Sequence, residues 1–251
     1  MKNALKRFWW ITLLLILIIA GAGFYAWVSD SAAPSPEAAD GMKTSAQVMV
    51  RTSPWLSFFP AHREPVIGLI LYPGDRVDYR AYAPVAKAIA AQGYLVVIVD
   101  MPLNLAVLDS NKADEVIANF PQIRYWAIGG HSLGGSMAAH YALKNPDKIH
   151  GLVLWAAYPS LFDDLSEQEI KAVSIVGTSD GLTTVKKVES SKSRMPATTR
   201  WVAIQGGNHA QFGWYGDQAG DNPASISQEE QQSQIVLATV ALLRELGFIA
   251  T

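Results

Sequence analysis

Three residues in this sequence have the types and the order that nucleophilic acyl chemistry requires: Ser132, Asp180 and His209. A serine hydroxyl is a weak nucleophile until a base takes its proton, and the base works best when a third group orients it. Ser132 is the centre of Gly130-His131-Ser132-Leu133-Gly134. The apolar run Tyr125–Ile128 precedes it and the helix-like run Ser136–Lys144 follows. Strand, tight Gly-x-Ser-x-Gly turn and helix is the setting of a nucleophile elbow. The glycines remove side chains that would collide with the flanking strand and helix, and the helix start offers free N–H groups to an oxyanion. Asp180 sits in Gly177-Thr178-Ser179-Asp180-Gly181, after the apolar run Val173–Val176. His209 sits in Gly206-Gly207-Asn208-His209-Ala210, after the run Arg200–Gln205. Each motif alone has an ordinary reading, since Gly, Ser and Asp are common turn residues. Their joint occurrence as Ser, Asp, His, each after a strand-like run, points to a triad.

The rival acids are Asp163 and Asp164, after the strand-like run ending at Ala156. The other histidines make poorer bases. His62 precedes the core runs, His131 lies inside the elbow, His140 is on the following helix and His150 precedes a strand. An oxyanion needs two N–H donors. Leu133, next to the serine, is the expected first. The second is expected from Gly74 or Asp75, in the Tyr72-Pro73-Gly74-Asp75-Arg76 loop.

These residues need a scaffold, and the chain supplies strands alternating with helices. Val66–Tyr72 and Tyr94–Val99 are continuous apolar runs of the kind buried on both faces. Tyr79–Gln92 is a predicted helix closed by Gly93, and residues 111–119 are a weaker helix candidate. Ala46–Arg51 and Trp55–Phe59 read as an initial hairpin across Pro54. Gly151–Ala156 reads as a strand and Val185–Ser193 as helical. Ser227-Gln228-Glu229-Glu230 is a capping-box start to a last helix ending near Gly247. This alternation predicts a doubly wound, mostly parallel α/β sheet.

Phe8–Val28 is 21 residues without a charge, flanked by Trp9 and Trp10 at one end and Tyr25 and Trp27 at the other. That predicts one transmembrane helix. Lys2, Lys6 and Arg7 precede it and Asp30, Glu37 and Asp40 follow, which places the N-terminus in the cytoplasm and the remainder outside. The alternative is a signal peptide cleaved near Ser31-Ala32-Ala33, with secretion of the remainder. Residues 29–43, rich in Ala, Pro and Ser, read as a linker to a catalytic domain at 44–251. The 17 basic residues beyond position 28 face 22 acids, which argues against a nucleic-acid partner. There is no cysteine, so disulfides, thiolate metal sites and a cysteine nucleophile are excluded.

The motifs Tyr-Pro-Gly at 72–74, Gly-His-Ser-Leu-Gly at 130–134, Gly-Thr-Ser-Asp-Gly at 177–181 and Gly-Asn-His at 207–209 resemble the α/β-hydrolase superfamily. The chain is similar to its small, lid-poor members such as dienelactone-hydrolase-like esterases, over about residues 46–248. The resemblance implies a serine hydrolase without cofactor or metal, taking a small-molecule ester. Two departures stand out. Dienelactone hydrolases use a cysteine nucleophile, and the usual His-Gly of the oxyanion loop is Pro-Gly here. Only 48 positions separate Ser132 from Asp180, too few for a large lid, which favours small or accessible acyl substrates over interfacial lipids. Tyr158, Phe162, Phe212, Trp214 and Tyr215 are the expected pocket walls. Asp217, Asp221 and Asn222 form a polar cluster whose spacing matches no recognised calcium loop. Acyl transfer by the same triad, or a tethered binding protein that retains the fold without turnover, are the competing functions.

Overall fold

The computed structural model describes residues 2–248 and divides into two units between Ser31 and Ala32. The first is a single helix, α1 (Lys2–Ser29). Its stretch Arg7–Trp27 has a mean hydropathy of 2.1 and is long and apolar enough to cross a membrane. Twenty-one residues at the helical rise give about 31 Å, the thickness of a bilayer's hydrocarbon core. From Phe8 to Trp27 no side chain is charged, and the hydroxyl of Thr12 donates back to Phe8 O, so no charged stripe faces water.

The second unit is built on one eight-stranded sheet among the described residues, in the order β1-β2-β4-β3-β5-β6-β7-β8. The strands are β1 (Val48–Arg51), β2 (Leu56–Pro60), β3 (Ile67–Tyr72), β4 (Leu95–Ile98), β5 (Tyr125–His131), β6 (Ile149–Trp155), β7 (Lys171–Gly177) and β8 (Arg200–Ile204). β1 pairs antiparallel with β2, and β2 antiparallel with β4; every later pairing is parallel. Parallel strands need crossovers, and helices α3 (Ala83–Ala91), α4 (Ala113–Asn119), α5 (Leu133–Lys144), α6 (Val185–Ser190) and α7 (Gln228–Phe248) supply them or close the fold.

Alternation along β3 shows how the sheet is covered. Leu69 and Leu71 point into a core layer with Val85, Ala86 and Ile89 of α3 and Ile235, Leu242 and Leu246 of α7. Ile70 and Tyr72 point the other way, to Ala138, Tyr141 and Ala142 of α5 and Val116 of α4. All six β3 residues are therefore buried, the pattern its unbroken apolar run predicts. Each large side chain buried there contributes about 1.5–3 kcal/mol. The Ser227 half of the predicted capping box is present at α7, with Glu230 N donating to Ser227 Oγ at 3.1 Å.

Residues 32–43 differ from the expected linker. Ala32 pairs with Val77 through two backbone hydrogen bonds, Ala32 N to Arg76 O and Asp78 N to Ala32 O. Ser35 N donates to Trp214 O at 2.8 Å. A short helix, α2 (Pro36–Gly41), then buries Ala38 completely and brings Gly41 against Pro84. Six helical residues are too few to show a 3.6-residue period, so the composition reads as a linker although the segment is packed. The folded unit thus begins at Ala32, before the expected boundary at 44.

Candidate active site

β5 runs three residues beyond its apolar stretch, through Gly129 and Gly130 to His131, which pair with Val153, Leu154 and Trp155 of β6. The chain then reverses at Ser132, whose φ of 52° and ψ of −125° are outside the comfortable range of a side-chain-bearing residue. α5 starts at Leu133. Gly134 lies in its first turn at a cost of about 1 kcal/mol in helix propensity relative to Ala. A Cβ there would lie 2.1 Å from the Pro73 carbonyl oxygen, and one at Gly130 would lie 2.5 Å from the Tyr72 carbonyl oxygen. The glycines let the elbow press against the end of β3, which brings the Pro73–Asp75 loop beside the serine.

The structure brings Asp180 and His209 together. His209 Nδ1 lies 2.8 Å from Asp180 Oδ2, and both side chains are buried. Asp180 Oδ1 accepts from Leu182 N at 2.8 Å and Thr183 N at 2.6 Å. The carboxylate is fixed by backbone on one oxygen and faces imidazole with the other. A carboxylate can only accept, so Nδ1 carries the proton and Nε2 presents its lone pair. Nε2 is buried without a hydrogen-bond partner. The His209 ring centroid is 4.4 Å from that of His131, the residue preceding Ser132. The loop after β8 therefore reaches back past β7 and β6 to the end of β5. The rival Asp163 is occupied elsewhere, with Oδ1 at 2.8 Å from His140 Nδ1 and Oδ2 accepting from Ser160 Oγ.

The oxyanion candidates narrow. Gly74 N donates to Tyr82 Oη at 3.0 Å, so that N–H is already used. Asp75 N and Leu133 N remain, the latter free because it opens a helix. Tyr82 Oη is also 2.9 Å from His131 Nδ1. Having accepted from Gly74, the phenol has one proton to give, so His131 Nδ1 accepts it. This buried Gly74–Tyr82–His131 relay ties the Pro73–Asp75 loop to the elbow. Phe212 stacks on His131 at 5.5 Å, and Tyr215 lies at 6.4 Å. Of the expected pocket aromatics, Phe212 and Tyr215 back the histidines from within the core, whereas Phe162 projects into solvent.

Burial first, and His209 beside it second, push the His131 pKa well below the ordinary value; the His209 backbone carbonyl counteracts in part. His131 is neutral when folded and titrates near 6.5 when unfolded. Below that pH the unfolded chain binds a proton that the folded one refuses, so stability falls as pH drops from about 6.5 towards the depressed folded pKa. The expected loss is up to about 1.4 kcal/mol per pH unit. In His131→Gln, which keeps an acceptor for Tyr82, thermal melts between pH 7.5 and 5 should lose that part of the slope.

Sequence reasoning missed the part played by Asp221. Its Oδ1 accepts from Gly181 N and its Oδ2 from Ala210 N, both at 2.9 Å. One carboxylate thus clips the Asp180 turn to the His209 loop. A second clip is Ser179 N to Gly207 O at 2.8 Å, while Gln231 of α7 exchanges two hydrogen bonds with the Asn208 backbone and ties the His209 loop to that helix. With both carboxylate oxygens committed to backbone, Asp221 holds the Asp180 and His209 loops together. We expect Asp221→Ala to lower kcat on the order of 10²-fold by loosening the histidine. Asp221→Asn, which keeps one acceptor, should recover part of it. Steady-state kinetics with KM resolved from kcat checks this.

Two concavities lie away from Ser132. One of about 450 Å³ lies behind the His209 loop, lined by Asn208, Gln211, Asp217 and Asp221. Another of about 390 Å³ lies between Pro65, Tyr94 and Arg244, at the opposite edge of the sheet. Neither is lined by the strained serine or the oriented imidazole.

Residues 68–233 match the alpha/beta hydrolase family. The chain belongs to that family. The match covers β3 to the first turn of α7, including every triad candidate. A solved structure of a CIB-like hydrolase from Thermoplasma acidophilum is similar in fold, with a TM-score of 0.56 and 18% identity over 81% of this chain and 100% of the other. No curated protein matches the sequence. Membership makes the chain a hydrolase with a mostly parallel α/β-hydrolase sheet; likeness to dienelactone hydrolases in particular has no counterpart in these comparisons.

Proposed function

We propose that this hydrolase cleaves carboxylic esters through an acyl-enzyme on Ser132. The observation that carries the reading is the His209 imidazole, held by Asp180 on Nδ1 and left with a buried, unpartnered Nε2 one ring away from the elbow. Nε2 takes the Ser132 proton as Oγ attacks the ester carbonyl. The oxyanion that forms is received by the N–H groups of Leu133 and Asp75. His209 then gives the proton to the leaving alcohol, and a water activated by the same nitrogen releases the acid. Asp180 stabilises the imidazolium in both steps. Residues 8–28 anchor the protein with its catalytic unit outside the cytoplasm.

The test is hydrolysis of p-nitrophenyl esters of graded acyl length by the full chain in detergent, with and without a fluorophosphonate. Turnover that the fluorophosphonate abolishes stoichiometrically supports the reading. Ester turnover that survives complete labelling, or no turnover at any length, counts against it.

A further inference from the structure

Among the described residues of the folded unit, eight large apolar side chains are exposed, and five of them lie in two loops: Leu103, Val107 and Leu108 after β4, and Leu161 and Phe162 after β6. Phe162 is 96% exposed and Leu161 80%. These loops are not frayed ends. Tyr72 Oη donates to Ser110 O and accepts from Ala113 N, which pins the first. The Asp163–His140 contact and Leu165 N to Arg194 O pin the second. Both loops leave the C-terminal ends of parallel strands, the edge that carries Ser132. In the sheet order β4-β3-β5-β6, Ser132 lies between them, about 10 Å from one strand and about 5 Å from the other. The apolar side chains therefore rim the serine on both sides.

The start of the folded unit is at this same edge. Ala32 pairs with Val77 in the loop after β3, and Ser35 bonds to Trp214 in the segment after His209. The apolar span ends at Trp27, five residues before Ala32. Five residues reach at most about 18 Å when fully extended. A domain of this size is about 40 Å across. The chain thus enters the folded unit at its serine edge, on a tether shorter than the unit is wide.

We propose that the rim of Leu103, Val107, Leu108, Leu161 and Phe162 docks on that bilayer, and that Ser132 receives the acyl chain of an ester-bearing amphiphile resident in it. This rests on residues 8–28 being a retained anchor and on the serine-hydrolase reading above. It replaces the expectation that a site without a lid favours small or accessible substrates over interfacial lipids. No lid is needed where the membrane itself covers the site.

The absence of cysteine makes the test direct, because one introduced cysteine carries one spin label. The full chain is reconstituted in phosphatidylcholine vesicles as Phe162→Cys, Leu108→Cys, Glu64→Cys at the opposite edge, or Leu17→Cys in the apolar span. Labels at 162, 108 and 17 should be relaxed more by oxygen than by a water-soluble nickel chelate, and the label at 64 the reverse. If 17 reads lipid while 162 and 108 read water, docking is wrong and the anchor stands. If 17 reads water, the anchor reading falls and the proposal with it. In a second arm, the double variant Leu108→Asp, Leu161→Asp should keep wild-type turnover of p-nitrophenyl acetate and lose tenfold or more on a long-chain ester presented in vesicles. Equal loss on both substrates, or none on vesicles, overturns the assignment of substrate. Failure of the wild type on p-nitrophenyl acetate would instead indict the serine-hydrolase reading.

Discussion

Replacing Ser132 by Ala should lower kcat for p-nitrophenyl ester hydrolysis by about 10⁴- to 10⁶-fold, with the fold intact. Alanine at a positive φ is no more strained than serine, and the Ser132 N to Trp155 O bond involves only backbone. The melting temperature should therefore hold within a few degrees. What is lost is the covalent route. The residual rate is what the proposed oxyanion donors, Leu133 and Asp75, and substrate binding would achieve with water alone. A loss of tenfold or less would mean that chemistry proceeds without this hydroxyl. The comparison is made by stopped-flow or steady-state kinetics alongside a thermal melt of each protein.

Asp180→Asn should cost about 10⁴-fold in kcat, and the local geometry says why. Leu182 N and Thr183 N both donate to Oδ1, so an asparagine must place its carbonyl oxygen there. Its NH₂ then occupies the position of Oδ2, 2.8 Å from His209 Nδ1. A donor in that place forces Nδ1 to accept and puts the ring proton on Nε2. The imidazole would present a proton to Ser132 instead of a lone pair, the wrong tautomer for a base. The preserved backbone bonds keep the turn folded, so a melt near wild type alongside the kinetic loss separates this effect from unfolding. An Asp180→Asn enzyme within tenfold of wild type would show that another residue orients the base.

How much of this was legible in the sequence depends on how local each signal was. The alternating apolar runs from Val66 to Gln205 are strong periodic signals, and the strands lie where those runs are. β5 outran its signal because Gly129 and Gly130 have no side chains to pattern, yet they pair in register with Val153 and Leu154. Asp180 and His209 were legible because both follow such runs directly. Tyr82, His131 and Asp221 were not. Tyr82 looked like one more residue on a helix, and its bonds to Gly74 and His131 span 8 and 49 positions. Asp221 reaches back 40 positions to Gly181. No short motif encodes contacts of that range. The choice between Gly74 and Asp75 likewise needed the Tyr82 hydroxyl, which occupies one of the two N–H groups. Ala38 was missed for the opposite reason, since a single buried alanine in a six-residue helix carries too little pattern to read.

The central claim is that an acyl group passes through Ser132. The direct measurement is peptide mass spectrometry of the full chain quenched in acid during turnover of a p-nitrophenyl ester. The predicted result is an acyl adduct on Ser132 in the wild type, absent from Ser132→Ala and accumulating on Ser132 when deacylation is slowed by a bulky acyl group. An adduct on another residue, or sustained turnover with Ser132 unmodified under every quench time, would contradict it.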